Sequence, residues 1–378
     1  MWNIKDINQK KNYVIERLKN CKDPKEKEKL ELSLITYESL LNNSGTLRYT
    51  GLYNAMDRLT QNKYSEMKNQ SIAEMEIGLF FKDTPLMSDE YLQFLLDICN
   101  NIAETPYADF NEEDMSTFET DYESIVNMSH SFYNELGDQE ILSNAEKLFN
   151  DESSINDSKM SRIGMADCSG LTFDDYYFGK AYVNITRKNN IFDYQVLNHE
   201  IMHGIDFYMQ NKVPSESYYG FHEVPTYTID YLFIDYLGSK GIDSNEIQKL
   251  RNKKDNYLQE LAKLTQTQIK SALVRNKKYQ DATIEDIKQV LEPQLIKQLL
   301  ELESGVIAYG LYNQIKSDRE KGITNLKLAM KEVLPKQQIP NFSFIELDNT
   351  ILLELSKQIG TYSMNSEMNI QEIDGFSK

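Results

Sequence analysis

The segment of this 378-residue sequence with the clearest chemistry is His199-Glu200-Ile201-Met202-His203. Histidines four apart on a helix share one face, one turn above the other, so both imidazoles can reach one metal ion. A glutamate beside the first histidine can take a proton from the water that attacks a polarised carbonyl. Imidazole and carboxylate donors in a four-coordinate site suit zinc, which lowers the pKa of its water to roughly 7. The chain has 4 histidines, His130, His199, His203 and His222. With so few, this pattern arises by chance on the order of once in a few hundred such chains, which favours a built site. Ile191, Val196, Leu197, Ile201, Met202 and Ile205 make the surrounding helix apolar. Burying two histidines and a glutamate there is costly unless they are partnered, and a metal is the natural partner. The expectation is one Zn2+ per chain and metal-activated hydrolysis, with Glu200 as general base.

A catalytic zinc takes a third protein ligand and keeps a fourth position open. Glu223, in Glu223-Val224-Pro225-Thr226, stands at a predicted helix start beyond the motif and is the expected third ligand. An acidic residue in a first helical turn also suits the helix dipole, so a capping role is its alternative. His222 and Asp206 are the rival ligands; His222 and Glu223 together would close the site and make the zinc structural. Ligating imidazoles commonly give their other N–H to a carboxylate, for which Asp230 and Asp206 are candidates. Tyrosines crowd the region from Tyr176 to Tyr236. A phenol offers flat apolar contact and one donor to an oxyanion, although core packing is the commoner role. Cys168 has no partnering histidine suggested by the sequence and is not expected to act as a nucleophile.

The elements that must carry these residues are mostly helical. Apolar spacing over 4–44 predicts a helical hairpin broken at Cys21-Lys22-Asp23-Pro24, because proline disfavours helix in its predecessor and is tolerated in the next first turn. Further helices are expected near 50–80, 88–103, 112–136 and 138–150. From Asp151 to Tyr182 the texture changes to Ser, Asp, Gly and aromatics. Ala181-Tyr182-Val183-Asn184-Ile185-Thr186 alternates and is β-branched, so it predicts a strand. Helical patterning resumes at about 191–211, 221–238, 243–274, 284–330 and 344–360. The expected organisation is an N-terminal helical lobe over 1–150 and a catalytic region over 151–378.

The net charge of −18 argues against nucleic acid or an anionic membrane as partner, since both repel an acidic surface. No run of about 18 apolar residues predicts a membrane span. Three widely spaced cysteines, Cys21, Cys99 and Cys168, suit a reducing compartment, and no secretory leader is read at the N-terminus, so a cytoplasmic protein is expected.

Residues 157–237 resemble the thimet oligopeptidase and oligoendopeptidase F family of zinc metallopeptidases. The parts that carry the resemblance are Arg162-Ile163-Gly164, Tyr182-Val183-Asn184, the His199–His203 motif with Gly204, and Glu223-Val224-Pro225-Thr226 followed by Asp230. The resemblance implies a mainly α fold: a helical body with a deep substrate channel and a small β element beside the His-Glu-x-x-His helix. It implies that the strand at 181–186 pairs with the backbone of a peptide substrate. The family's downstream His/Tyr cluster has only Tyr309 and Tyr312 as nearest counterparts here, which makes Tyr309 the candidate for oxyanion support. The expected function is a zinc-dependent endopeptidase acting on short or unfolded peptides. The alternative is a non-catalytic, zinc-containing peptide-binding or scaffold protein.

Overall fold

The computed structural model describes residues 2–42, 88–106, 121–158, 169–210, 222–276, 282–331 and 341–360. It divides into two compact units, one of Met1–Met75 with Ser116–Ser217 and one of Glu76–Met115 with Tyr218–Lys378. The mainly α class holds, and so does the small β element before the motif helix. The expected helix over 50–80, the Arg162-Ile163-Gly164 loop, Cys168, Tyr218 and Tyr219 lie outside the described residues. No described helix is long and apolar enough to cross a membrane.

In the first unit, α1 (Ile4–Asn20) and α2 (Pro24–Leu41) form the expected hairpin. Asp23 caps α2 by accepting from the N–H groups of Lys25 and Glu26, with Pro24 at the first helical position, where its missing N–H costs nothing. After α4 (Tyr122–Leu136) and α5 (Gln139–Phe149) come three strands, β1 (Ile155–Asp157), β2 (Gly170–Asp175) and β3 (Lys180–Ile185), and then the motif helix α6 (Phe192–Gln210). The sheet order is β1-β3-β2, with β1 parallel and β2 antiparallel to β3.

Alternation along the strands sorts their side chains onto two faces. Leu171, Phe173 and Tyr182 pack with Trp2, Ile7, Val14, Leu30, Tyr37 and Leu40 of the helical hairpin. The opposite face, with Gly170 and Thr172 opposite Ile185 and Val183, meets α6. Buried Asp175 pins the β2–β3 turn to α2: it accepts from Ser33 Oγ at 2.7 Å, from the Tyr37 hydroxyl, and from the N–H of Phe178 at 3.1 Å. Gly179 supplies the positive φ of +65° that the turn requires.

One expectation is corrected here. The strand read at 181–186 is the central strand, occupied on both sides by β1 and β2. β2 pairs along Lys180–Ile185 and β1 along Val183–Ile185, so this strand is not a sheet edge on which a substrate strand could be added there. The non-helical texture read before it corresponds, in the described parts, to β1 and β2.

The second unit comprises α3 (Asp89–Glu104), α7 (Glu223–Ser239), α8 (Ser244–Arg275), α9 (Ile284–Val290), α10 (Pro293–Ser317), α11 (Arg319–Lys331) and α12 (Asn349–Ser356), with α3 packed on α8, α9, α10 and α12. Every residue of α7 from Val224 to Leu237 is buried, as its nearly all-round apolar sequence requires. Its buried carboxylates are paired: Asp230 with Lys254 Nζ at 2.8 Å, and Asp235 with Arg251 Nη2 at 3.0 Å, Lys316 Nζ at 3.1 Å and the Tyr312 hydroxyl at 2.8 Å. The helical patterning at 284–330 is three helices, with Pro293 opening α10 and Asp318 separating α10 from α11.

Candidate metal centre

The motif helix is anchored at its start by Asp193. Its carboxylate accepts from the backbone N–H groups of Lys188 and Asn189, at 2.8 Å each, and of Asn190 at 3.4 Å. Burial holds the Asp193 pKa above the ordinary carboxylate value even against these three donors. Asn189 sits at φ 55°, a conformation asparagine tolerates better than most residues. The six apolar positions read around the motif behave as expected: Ile191, Leu197, Ile201, Met202 and Ile205 are buried and Val196 half-buried.

Gly204, directly after the second histidine, has a packing role. A methyl group at that position would lie 2.9 Å from Leu148 Cδ1 of α5 and 3.4 Å from Ala181 Cβ of β3. The missing side chain therefore lets α6 approach the sheet and α5 together. The N–H of Ala181 also donates to the Tyr208 hydroxyl at 3.1 Å, and the Tyr133 hydroxyl donates to the carbonyl of Asn198 at 3.3 Å. Bonds from both sides thus fix the rotation of α6.

With that rotation, His199 and His203 are half-buried neighbours, their ring centroids 4.9 Å apart and their planes 82° to one another. Glu200 is 8% exposed. Thr172 Oγ1 of β2 lies 2.8 Å from Glu200 Oε2 and 2.8 Å from the Glu200 carbonyl oxygen. A methyl group on Gly170 would stand 2.6 Å from Glu200 Cγ and 2.7 Å from Oε1. Two adjacent, half-buried imidazoles fit a borderline ion such as zinc better than a hard one.

In the second unit, Glu223 is the first residue of α7 and half-buried, with His222 at the N-cap making no side-chain capping bond. Thr226 Oγ1 lies 2.9 Å from the Glu223 carbonyl and 3.1 Å from its Oε2, so the carboxylate is held by its own first turn. Asp230 pairs with Lys254. In the first unit, Asp206 Oδ2 accepts from Gln210 at 2.7 Å. Tyr309 is 5% exposed, its ring 5.5 Å from that of Tyr231 and 6.0 Å from that of Tyr312. Of the clustered tyrosines, Tyr182, Tyr194, Tyr227, Tyr231 and Tyr236 are buried in cores. His130 packs on Phe149 and pairs with Glu146 at 2.6 Å, a structural role.

Sequence reasoning missed Gly170 and Thr172, which touch the predicted base. The available signal was the period-2 alternation of Gly170-Leu171-Thr172-Phe173, a strand short enough to be lost among aspartates.

No protein-family model matches the sequence, and no curated protein matches it. Among solved structures the chain is similar to a proposed oligoendopeptidase F from Bacillus anthracis str. Ames, at 13% identity and a TM-score of 0.49, over 97% of this chain and 70% of that one. It is also similar to a proposed peptidase from Chlamydophila abortus, at 12% identity and a TM-score of 0.49, over 92% of this chain and 63% of that one. A third similar structure is PZ peptidase A with inhibitor 2, at 9% identity and a TM-score of 0.49, over 96% and 71% of the two chains.

Proposed function

We propose that this chain is a zinc-dependent endopeptidase that hydrolyses short or unfolded peptides. In this reading His199, His203 and Glu223 are the metal ligands and Glu200 is the general base. When bound there, zinc supplies a Lewis acid for the scissile carbonyl and lowers the pKa of a coordinated water.

The observation that carries the proposal is the state of Glu200. A structural metal site has no use for a further carboxylate beside its ligands. Here one is nearly buried between two histidines and held by Thr172, a burial that is costly without a task. Glu200 would take the proton of the attacking water and pass it to the departing amine. For the oxyanion, Tyr309 is the proposed phenolic donor, as the nearest counterpart of the family's downstream tyrosine.

The test is digestion of a peptide library by zinc-loaded protein and by Glu200→Gln. The parent is expected to cleave internal bonds, and the variant to bind zinc yet lose about 10²–10⁴ in rate. Equal cleavage by both proteins would remove Glu200 from the chemistry.

A further inference from the structure

The strand face against α6 is unusual in composition. Over the first four residues of β2, Gly170 and Thr172 lie on that face, while Leu171 and Phe173 point to the helical hairpin. A strand packed on a helix ordinarily fills such positions with aliphatic side chains. Here the neighbours are Val196 and the Glu200 side chain, carboxylate included.

Two independent contacts meet on it. Thr172, 4% exposed, brings its hydroxyl to 2.8 Å from Oε2. That hydroxyl has one hydrogen and two acceptors in reach, Oε2 and the Glu200 carbonyl. An ionised carboxylate is the stronger acceptor. Gly170 contributes space: a methyl group there would overlap Cγ at 2.6 Å, Oε1 at 2.7 Å and Val196 Cγ1 at 2.8 Å.

We propose that Thr172 and Gly170 are positioning residues that set the orientation of the Glu200 carboxylate, a role that rests on the hydrolytic function above. A glutamate side chain has three rotatable bonds, and a general base works only when its oxygen meets the proton it abstracts. A carboxylate is planar, so fixing Oε2 on Thr172 while Cγ and Oε1 lie against Gly170 leaves a single orientation. Neither residue touches the reacting atoms. Their effect passes through Glu200.

The experiment uses full-length Thr172→Val, Thr172→Ser and Gly170→Ala. Valine keeps the shape of threonine and removes the donor; serine keeps the donor. With zinc loaded, Thr172→Val is expected to lose about tenfold in kcat with KM within twofold and unchanged zinc content, and Thr172→Ser to recover most of the loss. Gly170→Ala is expected to lose kcat by a similar or larger factor. The second readout needs no activity: in crystals of the metal-free proteins, the Glu200 carboxylate should leave its parental position in Thr172→Val and Gly170→Ala and keep it in Thr172→Ser. A carboxylate unmoved in both overturns the proposal, whether or not the protein hydrolyses peptides. Parental kcat in Thr172→Val, or equal losses in the valine and serine variants of an active enzyme, overturns it too. A parent that digests nothing while the carboxylate moves as expected would count against the hydrolytic function and leave the positioning intact.

Discussion

Glu223 is the residue on which the ligand set turns. Two histidines on one helix supply two corners of a tetrahedron, and the third must come from another element. The Glu223 carboxylate is half-buried and steadied by Thr226; its rival His222 is the N-cap residue just before it. Glu223→Ala is therefore expected to weaken zinc binding by at least about a hundredfold, measured by competition with a chromogenic chelator, while His222→Ala stays near the parent. The reverse pattern would transfer the ligand role to His222. That His199 and His203 stand side by side was legible in the sequence, because helical spacing alone brings residues four apart onto one face. Thr172 was not, since its partner Glu200 is 28 positions away and no local pattern records a pairing between a strand and a helix.

At the scale of elements, the sheet and α6 act as one positioning device, and Gly204 shows how tight it is. A small residue there was read from the sequence only as a resemblance; its reason is the approach of Leu148 and Ala181. Gly204→Val should overpack this junction and destabilise the protein by roughly 1–3 kcal/mol, read as a lower urea midpoint with an unchanged slope. A midpoint equal to the parent's would mean that the junction is loose. Long amphipathic or apolar helices such as α2, α6, α7 and α8 were legible from periodicity. The strand order was not. A pattern of alternation says that a strand exists and is silent on which strands flank it, so β3 could be read as an edge when it lies in the centre.

For the molecule as a whole, stability should carry the signature of one buried acid. Glu303 in α10 is 1% exposed, accepts from the Tyr91 hydroxyl at 2.6 Å through Oε2, and has no hydrogen-bond partner at Oε1 among the described residues. Burial pushes its pKa up from 4.5 to about 8, against the opposing effect of Tyr91. The folded state thus holds a proton that the unfolded chain has released above about pH 4.5. Its contribution is fully present below pH 4.5 and is lost as pH rises toward 8, by at most on the order of 4–5 kcal/mol. Glu303→Gln cannot ionise. Chemical denaturation from pH 5 to 8.5 should show the variant gaining on the parent steadily, and parallel curves would place the Glu303 pKa near its ordinary value. Nothing in the sequence distinguished Glu303 from surface glutamates at helical spacing, because its burial comes from α3 packing against α10.

In the proposed reaction the metal and Glu200 act together, which metal-free protein titrated with Zn2+ can show while a quenched fluorescent peptide reports hydrolysis. The rate should climb from zero to a plateau at one zinc per chain, and the trace from Glu200→Gln should stay flat although it takes up the same zinc. Hydrolysis that is full before any zinc is added, or equal in the two proteins at the plateau, would contradict it.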